Sequence, residues 1–339
     1  MDGKDISGMS YIESNCIIRH PLQFFKEENM AISEIKANSH EEWVANRKNY
    51  IGGSDAGAVV GLNPYSSRYA LWAEKTGRTE GFKGNLTTTV GSYLEGLVAD
   101  LFTDETGKKV RRKNATLVND KYPWACADVD RMVVGEKAIL EIKTTNSFPV
   151  MKKVRGGEFP LQWWCQICHY QAVTGADRAY LAVLINCRDL KIFTLERDEA
   201  EIKALMDAEE EFWELVKTDT PPEIDGSDAT LDAINSQWPG SQDAEIYLAG
   251  FEDKLKTRKD LNAEKKALEA AIKKIDNEIK AEMQDAQRAA CEGWKISWKE
   301  QNRSSFQRDD FEADHPDIDL DSYYKTTTSR VMRITEKGA

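Results

Sequence analysis

The chain is poor in cysteine and in clustered basic charge, and it has no long apolar run. Six cysteines are scattered through 339 residues without a dense or regular framework, which excludes a disulfide-stapled scaffold and suits reduced thiols in a cytosolic compartment. Lys and Arg number 46 against 58 Asp and Glu, a net charge of -12. That balance excludes a protein that coats nucleic acid by bulk electrostatics, because neutralising phosphates takes clustered cations. It leaves room for a local basic groove in an acidic body. The longest uninterrupted apolar run, AYLAVLI at 179–185, is too short to cross a bilayer, and no basic segment leading into an apolar stretch opens the chain. A soluble, cytoplasmic protein is expected. No internal repeat or low-complexity tract is evident.

What is present is a core-forming sequence with an appendage. A hydrophobic content of 41% over this length supports one large core and an additional module. Residues 1–38 are weakly patterned and read as an irregular lead-in. Ser39 followed by Glu42 resembles a capping box for a helix over 40–48, which carries Trp43 and Arg47 on one side. The loop YIGGSD feeds a short helix in AGAVVGLNPY, capped by Ser54 or Asp55 and stopped by Gly61 and Asn63-Pro64. Leu94, Leu97, Val98, Leu101 and Phe102 recur at helical spacing within 87–106.

After Gly107 the segments ATLV, CADVDRMVV and AILEIKTT are short, rich in β-formers and separated by turn signals, the pattern of an antiparallel meander. EFPLQWWCQICHYQAVTG returns to helix, RAYLAVLI and KIFTLER are strands, and EAEIKALMDAEEEFWELVK is a surface helix. The order defines an α+β or mixed α/β domain over 39–217. A linker is expected at 218–245, marked by TPPEIDG and WPGSQD. Beyond it, Leu261, Leu268 and Ile275, with Ile272, Ile279 and Ala286, form interleaved seven-residue series, so 246–339 reads as a coiled-coil-like arm. Two candidate strands, GWKISWKE and SRVMRI, follow it.

The charges inside the apolar hairpin carry the chemistry. In EIK, Glu141 and Lys143 share one face of a strand and Ile142 takes the other. Asp128 and Asp130 likewise share a face on the preceding strand. Carboxylates converging there would not all stay ionised without a cation between them, and a hard divalent ion such as Mg²⁺ takes such oxygen ligands together with water and phosphate. The lysine would orient or deprotonate an attacking water, an arrangement for hydrolysing phosphodiesters. The spacing alone suits a cross-strand salt bridge on a solvated sheet face equally well.

Asp130, ten residues and then Glu141-Ile142-Lys143 resemble the core of the PD-(D/E)XK nucleases. The ordered set IGGSDAGAVVGLNPY, GSYLE, ADVDR, LEIK and WWCQICHYQAVTG resembles the YqaJ-like viral recombinase family, a group related to the phage lambda exonuclease, over residues 40–215. The resemblance implies a restriction-endonuclease-like core with a central sheet flanked by helices, plus the C-terminal appendage. It also implies metal ligands Glu95, Asp130, Glu141 and the backbone carbonyl of Ile142, and a catalytic lysine, Lys143. Gln166 would sit near the attacking water, and Arg47 and Ser54 on a terminal 5′ phosphate. Cys168 stands where relatives often carry a second glutamine. Asp128, His169, Tyr170 and Arg68 are further candidates, as is the basic run RRK at 111–113, though a lone helical histidine more often packs or hydrogen-bonds.

The function so implied is a Mg²⁺-dependent deoxyribonuclease, with Mn²⁺ as a substitute and two ions per site. It would resect double-stranded DNA ends, 5′ to 3′, in phage-type homologous recombination, in a bacterial host and with a phage or prophage origin. The implied partners are duplex ends, a single-strand annealing protein of the RecT type and further copies of the chain in a trimeric ring. Two other readings stand beside it: a DNA-binding or scaffolding module with an inactive site, and a restriction-type endonuclease. An iron-sulfur cluster on Cys126, Cys165, Cys168 and Cys187 has the wrong spacing.

Overall fold

The computed structural model describes residues 31–327 and 330–335. The chain divides into two compact units, Met1–Pro239 and Gly240–Ala339. The described part of the first unit begins with β1 (Ile32–Ile35), α1 (His40–Arg47), β2 (Ile51–Gly52), α2 (Gly53–Val59), α3 (Arg68–Lys75) and α4 (Leu86–Thr106). It continues through β3 (Val110–Arg111), β4 (Thr116–Asn119), β5 (Tyr122–Ala127), β6 (Arg131–Val133), β7 (Ala138–Thr145), α5 (Phe148–Arg155) and α6 (Leu161–Thr174). β8 (Arg178–Ile185), β9 (Asp189–Glu196), α7 (Glu199–Lys217) and α8 (Asp228–Gln237) complete it.

The strands form two sheets instead of the single meander that the sequence suggests. One has the order β1-β4-β5-β2, and the other β3-β6-β7-β8-β9. The chain changes sheet between β5 and β6, at residues 128–130. Asp128 and Asp130 therefore lie in the crossing segment and not on a strand. β7 and β8 run parallel, paired along all eight residues, and the other pairings of the larger sheet are antiparallel. This is a mixed α/β core.

Alternation along β7 distributes its side chains to two cores. Leu140 and Ile142 face α4, packing with Val98 and Phe102. Ile139 faces the other way, into a larger core with Ile167 and Val173 of α6 and Ile202 and Met206 of α7. Glu141 and Lys143 share that second side, so helix α6 lies over the charged face of the strand. α2 approaches α6 closely, because a Cβ at Gly53 would fall 2.4 Å from the Tyr170 ring and one at Gly57 2.9 Å from Gln162.

Several expectations need revision. The 1–38 lead-in contains β1, paired with β4; residues 1–30 lie outside the described residues. The 218–245 linker contains α8, which buries Thr230 and Ala233 against the first unit and bonds Thr230 Oγ1 to Ser67 Oγ at 2.6 Å. Helix α2 begins one residue before Ser54, with Gly52 as its cap and Asp55 accepting the Gly52 N–H at 3.0 Å. That geometry leaves the Ser54 hydroxyl available for Arg47.

The second unit holds α9 (Glu252–Met283), a hairpin of β10 (Arg288–Cys291) and β11 (Trp294–Ser297), and a short α10 (Arg308–Asp314). The long helix and the GWKIS strand agree with the sequence pattern. Residues 330–335 form no strand.

Candidate active site

The site is assembled where β7, α6 and the segment between β5 and β6 meet. Lys143 Nζ lies 2.7 Å from Glu141 Oε1 and donates to Gln166 Oε1 at 2.8 Å. Gln166 Nε2 donates in turn to the Tyr170 hydroxyl at 3.1 Å. Asp130 Oδ2 accepts the backbone N–H of Ile142 at 2.7 Å, which pins the crossing segment to the centre of EIK. Lys143 is more open than Glu141, its side chain 23% exposed against 4%.

Electrostatics mark the pair of acids as strained. Burial, and then the charge of Glu141, push the Asp130 carboxyl well above the ordinary aspartate range. Burial raises the Tyr170 phenol further above its ordinary value, with Glu141 and Asp130 adding to it, so its hydroxyl stays protonated. An aspartate so disfavoured as an anion beside a second acid is part of a donor set that a hard cation would relieve. Among the described residues no three His, Cys, Asp or Glu side chains gather as a ligand cluster.

Glu95, on α4, adds its charge to those acting on Asp130, and its carboxylate is held by the Arg131 guanidinium. Arg131 also donates to the Asp130 carbonyl at 2.6 Å. Arg131 was not singled out from the sequence, although it stands in the ADVDR motif; it is 5% exposed, and a buried arginine beside a metal-type aspartate was the available signal.

The second group lies at the β2–α2 turn. Arg47 donates to Ser54 Oγ at 2.7 Å, stacks over Trp43 with 4.9 Å to the ring centroid, and sits 4.0 Å from Asp55. Asp55 makes its closer ion pair with Lys75, at 2.8 Å. The charges of Asp55 and Asp128 bear on the Arg47 guanidinium, and a Cβ at Gly53 would meet the Tyr170 ring at 2.4 Å, so the two groups adjoin.

The remaining candidates are engaged in contacts of their own. His169 is fully buried, with Nε2 on the Cys126 carbonyl and Nδ1 on Glu209 Oε1, both at 2.8 Å. A carbonyl only accepts, so Nε2 carries hydrogen and one proton lies between Nδ1 and Glu209. The residue braces α6 and does not face substrate. Tyr170 is buried too and acts through Gln166. Arg68 pairs with Glu211 at 2.9 Å, between α3 and α7. Asp128 accepts from Thr116 Oγ1 at 2.6 Å, and Lys113 of the basic run pairs with Glu34. Cys126, Cys165 and Cys168 are buried and Cys187 exposed; burial lifts the Cys126 thiol to about 12 and that of Cys165 to about 11, which opposes ligation as thiolates.

A central mixed sheet flanked by helices, with Asp130, Glu141 and Lys143 converging from a strand and its neighbouring segment, is a PD-(D/E)XK core. The profile of the YqaJ-like viral recombinase domain matches residues 42–177. The chain is 34% identical over 267 residues to the uncharacterized protein YqaJ of Bacillus subtilis (strain 168), covering 77% of this chain and 83% of that one. The protein belongs to the YqaJ-like viral recombinase family. Among solved structures it is similar to an alkaline exonuclease from Laribacter hongkongensis, with a TM-score of 0.47 and 20% identity over 53% of this chain and 94% of the other. It is also similar to a phage-related exonuclease from Haemophilus somnus 129PT, with a TM-score of 0.40 and 13% identity over 50% and 96%.

Proposed function

We propose that the protein is a metal-dependent deoxyribonuclease that degrades double-stranded DNA from its ends, 5′ to 3′, in phage-type recombination. The observation that carries this reading is Lys143, held between Glu141 and Gln166 beside a half-buried Asp130, with the Arg47–Ser54 pair alongside. Asp130, Glu141 and the Ile142 carbonyl would hold the divalent cation, Mg²⁺ or Mn²⁺, and that ion supplies Lewis acidity to a phosphate and lowers the pKa of water.

The chain's own groups have definite tasks. Lys143 stabilises charge on the scissile phosphate or takes a proton from the attacking water. Gln166 fixes the direction of the ammonium, and Tyr170, backed by Gly53, fixes the direction of the amide. Arg47 and Ser54 offer hydrogen bonds to a terminal phosphate, which favours action at ends over internal cutting. A single-strand annealing partner and a ring of three copies belong to the same reading.

The test is digestion of linear and closed circular duplexes, with and without a 5′ phosphate, by the wild type and Lys143→Ala. Nucleotide release from linear DNA alone, stimulated by the 5′ phosphate and reduced about 10²–10⁴-fold in the variant, is the expected result. Cutting of circles would assign an endonuclease. Binding without any cleavage would assign a scaffold.

A further inference from the structure

Helix α9 carries a feature that end resection does not use. At about 100° per residue, Leu261, Leu268 and Ile275 fall in one line and Ile272 and Ile279 in an adjacent one, the two series offset by four residues as in a coiled-coil seam. Leu261 is 58% exposed, Leu268 66%, Ile272 59% and Ile275 56%. A lone exposed leucine needs no explanation, but four in register do. Only the end of the stripe is covered among the described residues, where Met283 is buried and, with Ile279, borders a pocket lined by Ala289 and Ile296 of the hairpin.

The charges beside the stripe determine what fits it. One edge carries Asp253, Asp260, Glu264 and Glu278, all exposed, and no basic residue, while Glu282 ends the Leu261–Leu268–Ile275 line. The other is mixed, with Arg258, Lys265 and Lys280 beside Glu269 and Asp276. Lys274 reaches Glu278 at 3.8 Å from the back of the helix, an exposed pair that offsets little of the edge charge. A second copy fits poorly. An antiparallel pair of these helices would set acidic edge against acidic edge, and a parallel pair would set Glu264 against Glu269 of the second copy. Phosphate-bearing surfaces, nucleic acid or anionic lipid, are repelled by the same edge.

We propose that this stripe is the docking seam for an amphipathic α-helix of a different protein, one whose edge carries lysine or arginine opposite the acidic edge of α9. The seam supplies the affinity and the edge supplies the choice of partner and its orientation. The inference stands whether or not the first unit cleaves DNA.

The test uses the full-length protein and two synthetic helices of about four heptads with one and the same Ile/Leu seam, one bearing lysine at its edge positions and the other glutamate. Calorimetry is expected to show the lysine helix binding at least about tenfold more tightly, with affinity falling as salt is raised. Leu268→Asp with Ile275→Asp abolishes that binding. Glu264→Lys with Glu278→Lys, which leaves the seam and the fold untouched, shifts preference to the glutamate helix. Equal binding of both helices, binding of neither, or a dimer in the ultracentrifuge that the double aspartate variant converts to monomer would overturn the proposal, the last by giving the seam to a second copy.

Discussion

Asp55 and Gly53 show how much of the site rests on residues that touch no substrate. Burial is the largest influence on the Asp55 carboxyl and pushes it up, yet Lys75 and Arg47 outweigh it and hold the group below the ordinary aspartate range. A depressed pKa in the folded state means that the unfolded chain takes the proton more readily. The stabilisation is complete above the ordinary aspartate value and is lost as pH falls through the lower folded one. Thermal melts from neutral to acid pH should show this decline in the wild type and lose that component in Asp55→Asn. At neutral pH the variant should be about 3 kcal/mol less stable, because Lys75, its side chain 3% exposed, keeps a buried charge without its partner. At Gly53 the constraint is space. Gly53→Ala drives a methyl into Tyr170, at about 1–3 kcal/mol by overpacking, and single-turnover rates on linear duplex should fall more than end affinity, because the displaced ring carries Gln166 with it.

Among the elements, α8 sets where the first unit ends. It is joined to α3 by the Thr230–Ser67 hydrogen bond and packs Ala233 into a core shared with Tyr69, Trp72 and Phe212. A chain ending at Pro239 should melt with the first unit intact. One ending at Thr220 should melt several degrees lower, a shift that differential scanning calorimetry reads directly. The sequence hid this helix because DATLDAINSQ buries only a threonine and an alanine and shows no apolar stripe. α5 was concealed in the same way, its Phe-Pro start looking like a loop although proline suits the first helical turn. By contrast α6 and α7 were legible from apolar residues at helical spacing, and β7 and β8 from short, nearly continuous apolar runs buried on both faces. The break at 128–130 was not, because CADVDRMVV contains no glycine or proline to mark the point at which the chain passes from one sheet to the other. Glu141, Lys143 and Gln166 were brought together as expected. Glu95 adjoins them through Arg131, a contact across 36 residues that no local pattern records.

The whole molecule couples metal, fold and time. If Asp130 and Glu141 hold a divalent ion, binding to the native state alone should stabilise it by about 2.7 kcal/mol at a hundredfold excess over Kd. Melting with Mg²⁺ or with a chelator should show that increment in the wild type and lose it in Asp130→Asn, alongside loss of cleavage. The parallel pairing of β7 with β8 has a further consequence. The two strands are separated by residues 146–177, which include α5 and α6, so the strand carrying EIK, paired locally with β6, gains its second neighbour only after that connection has been made, and such non-local pairings form slowly. A chain emerging from the ribosome therefore holds Arg47, Asp130, Glu141 and Lys143 long before it can align them. Alignment waits for residues near 185, so the group is complete only in the finished domain and stays unassembled in shorter fragments and nascent chains.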